Sequence, residues 1–165
     1  MTSSLDRLEL VDALRQGARP GTPGFLAAVH LITEYDEGNL LEERNPLRGY
    51  LSTVGGRTTI DLERLHADLA SGADQWAGEG GGTRAALALA CCLAGRPMGH
   101  LGELLGAFDH RNTLVVLRAF YTAGNSGVGP PPGWPPPLTV FEAMFPDLPI
   151  FDAVRADTVT PEVGP

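Results

Sequence analysis

At 165 residues, 43% of them hydrophobic and with mean hydropathy near zero, the chain has the composition of a globular protein with one ordinary domain. A net charge of −8 leaves no basic stripe to neutralise phosphates, so direct phosphate-backbone binding to nucleic acid is not expected. All twelve basic residues are arginine, which excludes a Schiff-base lysine and a phosphate-loop lysine.

The first helix is expected after Ser3-Ser4, with Leu5, Leu8, Val11 and Leu14 along one face and Gly17 as a left-handed stop. Thr22-Pro23 opens a second helix with Phe25, Ala28, Val29 and Ile32 inward and Gly38 closing it. Asn39 to Arg44 offers one further turn, and Asn45-Pro46 opens a short third helix carrying Leu47, Tyr50 and Leu51. Residues 50–60 then hold two β-prone runs around Gly55-Gly56, the signature of a small β-hairpin. A helix ending at Val54 and followed by a loop is the alternative, and both readings stay open from sequence.

Asp61 to Ser71 is helical by the spacing of Leu62, Leu65 and Leu69, with Gly72 after it. The glycines at 78 and 80–82 form a surface loop capped by Thr83. Glu79 and the missing lysine argue against a phosphate cradle there. Residues 84–93 are apolar on nearly every side, as expected of a helix at the centre of the core. A short helix follows around residues 101–105, and Asp109 caps a last one, His110 to Ala123, with Leu114, Leu117 and Tyr121 aligned. The fold class is therefore mainly α, a compact multi-helix domain over residues 1–125. A Pro-rich spacer (126–138) and an apolar-acidic arm (139–165) follow.

The runs Arg84-Ala-Ala-Leu-Ala-Leu-Ala-Cys-Cys-Leu-Ala-Gly-Arg-Pro97, Leu101-Gly-Glu-Leu-Leu-Gly-Ala-Phe-Asp109 and Arg111-Asn-Thr-Leu-Val-Val-Leu-Arg-Ala119 resemble uncharacterised helical proteins of actinobacteria and their phages. The resemblance covers about residues 58–125. It implies helical content and source, and no activity, cofactor or site residue.

Candidate chemistry is sparse. His30 and Glu34 lie four apart on the second helix, spaced to grip one metal from one face if His66, His100 or His110 supplied a third ligand. No His-x3-His or His-Glu-x-x-His pattern supports that site, and no cofactor is expected. Asp109-His110-Arg111-Asn112 reads as a helix cap rather than a catalytic cluster, since consecutive helical side chains diverge. Cys91 and Cys92 point about 100° apart on one helix and read as core residues. The longest apolar run, residues 85–94, is half the roughly 20 residues a membrane span needs. The first residues lack the basic and apolar regions of a signal peptide, so a cytoplasmic location without a membrane span is expected.

The C-terminal end carries the functional expectation. Ten of the 14 prolines fall in residues 130–165, and the spacer through Pro137 should be semi-rigid with a reach of roughly 30 Å. Trp134 sits between two proline triplets. Thr139 to Glu142 has capping-box spacing, and Phe141, Met144, Phe145 and Leu148 fall at i, i+3, i+4 and i+7, the anchor set of a helix in a groove. Pro146 and Pro149 limit that helix, and Phe151 extends the apolar contact. The expected function is a non-catalytic protein-binding or assembly module whose arm docks on a partner or another subunit. Folding back over its own core is the competing fate of the arm. A metal-assisted hydrolase-type enzyme using His30, Glu34 and a second histidine is the competing function.

Overall fold

Helix α1, Arg7–Ala18, begins not after Ser3-Ser4 but at Asp6, whose carboxylate accepts from the Glu9 amide while Glu9 reaches back to the Asp6 amide. This reciprocal capping box satisfies two orphan donors and is placed by the Asp-x-x-Glu spacing. The buried face runs through Leu10, Leu14 and Ala18, and Leu8 points to solvent. The computed structural model describes residues 6–19, 21–125 and 128.

Helix α2, Pro23–Glu34, starts at Thr22 with proline in its first position, as the sequence indicates. It ends at Glu34, earlier than a Gly38 stop requires. A 3-10 segment, Tyr35–Leu41, follows, and a second, Pro46–Tyr50, is capped by Asn45. Strands β1, Leu51–Val54, and β2, Arg57–Ile60, pair antiparallel with Leu51 opposite Ile60 and Val54 opposite Arg57. The hairpin reading holds: Gly55 and Gly56 take φ of 59° and 76°, the two positive values a tight I′ turn demands. Helix α3, Leu62–Ser71, has Asp61 as its cap and the left-handed Gly72 as its stop.

Helix α4, Gly81–Leu93, starts at Gly80 rather than at Thr83, so two loop glycines lie inside it. Gly82 is there for space: a Cβ would come within 2.7 Å of the Tyr35 hydroxyl oxygen. Every residue from Ala85 to Cys91 is buried, as expected of the most apolar segment. Short helix α5, Leu101–Leu105, and long helix α6, His110–Gly124, complete the fold.

The hub, however, is α2, whose most extensive contacts are with α6 and then α4. Small residues explain this. Ala27 and Ala28 are fully buried, and Gly24 lies against the Leu93 carbonyl so closely that any side chain would overlap it. For the same reason α6 buries Asn112, Thr113, Val116, Ala119 and Thr122, while Leu114, Leu117 and Tyr121 sit half-buried on its flank. The hairpin rests on α1, where Gly17, inside the helix rather than stopping it, meets the Thr58 carbonyl. Tyr50, at the end of the second 3-10 segment, ties it to α3 and to a third 3-10 turn, Asp74–Trp76: its hydroxyl donates to Asp68 at 2.7 Å, and its ring stacks on buried Trp76.

Candidate functional site

Two features of the described surface depart from a plain helical body: an apolar groove beside α5 and a charged cleft between α2 and α6.

The groove exists because α4 ends abruptly. Gly95 turns left-handed (φ 83°), the Arg96 amide returns to the Cys91 carbonyl at 2.9 Å, and Pro97 prevents the helix from resuming. Left-handed Gly99 (φ 59°) then throws the chain outward into α5. The loop is fastened by the Met98 amide donating to Cys92 Sγ at 3.2 Å and by a His66 ring contact to the Pro97 carbonyl at 3.2 Å. What remains is a pair of clefts on either side of Met98 and Gly99. One, about 370 Å³, lies between α4 and α5 and is lined by Leu69, Ala85, Ala88, Leu104 and Ala107, with Arg84, Glu79 and Glu103 at its rim. The other, about 350 Å³, is lined by Leu89, Cys92, Leu93, Leu101 and Phe120. Leu101 is 49% exposed, a large apolar side chain left in water at the mouth. Deeper in, Cys91 is inert: burial, followed by neighbouring Cys92, pushes its thiol up to about 12, against the opposing charge of Arg96.

The second cleft, about 460 Å³, is lined by Thr33, Glu34, Glu37, Leu114, Val115 and two arginines, Arg111 and Arg118. Glu34 is bridged by Arg15 at 3.1 Å and by Arg118 at 3.5 Å. Glu37 pairs with Arg111, whose hydrogen bond and charge hold that carboxyl below the usual range. Beside it, Asp36, Glu37 and Gly38 run left-handed in succession, with φ of 47°, 57° and 81°. Two of these are not glycine, which makes the turn strained. Buried Asn112 holds it, its side-chain oxygen accepting from the Asp36 amide at 3.0 Å while its amide group donates to Asp109 at 3.2 Å. Each arginine in this cleft already faces a carboxylate, so the cluster stabilises a turn and leaves no unpaired charge pointing inward.

The sequence-derived candidates divide accordingly. His30 and Glu34 do share one side of α2, but Glu34 is taken by Arg15 and Arg118, and any metal there would displace both. His66 lies at the Pro97 loop and exposed His100 precedes α5. Among the described residues no three His, Cys, Asp or Glu side chains converge as a metal site, and no helix is long and apolar enough to cross a membrane. Trp134, Phe141, Met144, Phe145, Leu148 and Phe151 lie outside the described residues. The groove itself had no local signal, since its walls come from residues as distant as Leu69 and Phe120.

His30 has a measurable consequence. Burial lowers its pKa below the ordinary 6.5, Arg15 adds to the effect, and Glu34 opposes it. The unfolded chain therefore takes up this proton first as pH falls. The His30 contribution to stability is complete above about 6.5 and is lost as pH drops through that value toward the depressed one. A melting-temperature profile from pH 8 to 5 should fall more steeply for the natural chain than for His30→Gln. Parallel profiles would show that the burial is not felt.

No family model matches the chain, and no curated protein or solved structure matches it either.

Proposed function

We propose that the protein is a non-catalytic binding or assembly module, with an apolar groove on its helical body and a C-terminal arm that docks on a partner or another subunit. The observation that supports this reading is the groove. It is open and apolar, flanked by half-exposed Leu101, and it lies beside Phe120, just before the chain leaves α6. The arm supplies the complementary half, with anchors at helix-in-groove spacing. Among the described residues the charged cleft is internally neutralised, and burial keeps the Cys91 thiol protonated.

Truncation after Asn125 tests this. The expected result is a body that stays folded and monomeric while losing a partner or an oligomer that the full chain forms. Unfolding or aggregation of the truncated body would mean that the arm completes its own core, which ends the reading. Stoichiometric zinc, manganese or iron in protein purified without tags or chelators would instead favour the enzyme built on His30 and Glu34.

A further inference from the structure

We infer that the groove is the seat for the arm of a second copy of this chain, so that two molecules exchange the segment Phe141 to Leu148 reciprocally. This rests on the binding-module reading and adds the identity of the partner.

Three observations carry it. The first is fit. The groove is two clefts of similar size separated by the Met98–Gly99 ridge, with Leu93, Leu101 and Phe120 walling one and Ala88 and Leu104 the other. By sequence spacing alone, Phe141 to Leu148 would span about 10 Å as a helix and somewhat more where Pro146 interrupts it, and the stretch of α4 from Ala85 to Leu93 that floors both clefts runs about 12 Å. An anchor pair can therefore enter each cleft on either side of the ridge.

The second is the route. Phe120 lies about 6 Å along the axis from the end of α6 at Gly124, so the groove begins almost at the root of the spacer. By its proline content the spacer is expected to be semi-rigid, with a reach of roughly 30 Å. To reach its own groove the arm would have to double back along itself. A groove on a second molecule imposes no such bend. Exchange between identical chains also closes on itself as a two-fold pair, each arm filling the other chain's groove, with no free sticky end.

The third is charge. The rim carries Arg84 against Glu79 and Glu103, so it offers no net attraction to the arm, whose Glu142 and Asp147 are themselves acidic. A small ligand or partner selected by charge has no foothold here, and apolar complementarity has to select the occupant. The association should therefore change little with ionic strength.

Sedimentation of the full chain at tens of micromolar tests this with two variants. Leu101→Glu blocks the groove at an exposed position, and Phe141→Asp with Phe145→Asp blocks the arm. The natural chain should be a dimer and each variant alone a monomer. An equimolar mixture of the two should recover a dimer, because one chain keeps an intact arm and the other an intact groove. Cys92, on the groove wall, should react with a maleimide several-fold more slowly in the natural dimer than in the arm variant. A dimer that survives either variant, or a mixture that stays monomeric, overturns the inference. So does a monomeric natural chain, and its melting temperature then separates the two readings. If the arm variant melts markedly lower, the arm folds back on its own body and the binding-module reading fails too. If it melts unchanged, the arm remains available to a different protein and only the second-copy inference is lost.

Discussion

Replacing Gly24 or Gly17 with alanine should destabilise the protein by about 2–4 kcal/mol each, lowering the melting temperature by roughly 10 °C. The sign is the informative part. Both glycines lie inside helices, where alanine is intrinsically favoured by about 1 kcal/mol, so local propensity calls for stabilisation. Tertiary structure calls for the reverse. At Gly24 the new methyl would overlap the Leu93 carbonyl oxygen, which is backbone at the end of α4 and has no rotamer to escape into. At Gly17 it would overlap the Thr58 carbonyl on β2 in the same way. Relief requires α2 to lift from α4, or α1 from the hairpin, and each shift opens a gap in a core whose packing energy falls off within an ångström. Gly102 is the control: it is helical, a methyl there meets nothing, and alanine should be neutral or slightly stabilising. Thermal unfolding of the three variants checks the argument. A stabilised Gly24→Ala would mean that α2 and α4 do not approach as described.

These two glycines also show which parts of the fold the sequence discloses. Although Ser3-Ser4 and Thr83 do not open their helices, several signals that act within four residues read correctly: Thr22-Pro23, Asn45-Pro46 and Asp109 cap where they are expected to, and Gly55-Gly56 turns the hairpin. Each works through its own side chain or its own φ, so neighbours in sequence suffice. Gly17 was misread as a helix stop because a glycine that ends a helix and one that admits a distant carbonyl look alike in one dimension. The inward face of α6 is hard to read from sequence for a related reason. Its leucines look like the core face, yet the close approach of α2 selects Thr113, Val116 and Ala119, whose small side chains allow that spacing. The apolar groove is a product of such long-range choices, built where α4 stops at Gly95 and α5 departs past Gly99. The arm's anchors, by contrast, are an expectation from local spacing in residues outside those described.

Asn112→Ala should cost about 2 kcal/mol, out of proportion to the loss of one polar side chain on a helix. Asn112 is buried, and it is the only described contact between α6 and the amide of Asp36. Its removal leaves that donor without its acceptor and frees the Asp109 carboxylate from one of its two bonds to residue 112. It also releases the succession of left-handed residues at 36–38, where Asp36 and Glu37 each sit at a φ that costs a non-glycine residue about 1 kcal/mol. The clamp and the strain are therefore coupled, and a double-mutant cycle can measure the coupling. In an Asp36→Gly background one of the two strained positions is relieved, so Asn112→Ala should cost less there by about 0.5–1 kcal/mol. Asn112→Asp separates geometry from charge. It keeps an acceptor for the Asp36 amide but sets a second carboxylate beside Asp109, and this like-charge contact raises the pKa of the introduced carboxyl in the folded state. A raised carboxyl pKa destabilises the fold at neutral pH and ceases to do so as acid neutralises the pair, so this variant should recover relative to the natural chain on acidification while Asn112→Ala does not. Chemical denaturation at two pH values resolves both effects. Equal costs for Asn112→Ala in the two backgrounds would show that α6 holds this turn by something other than Asn112.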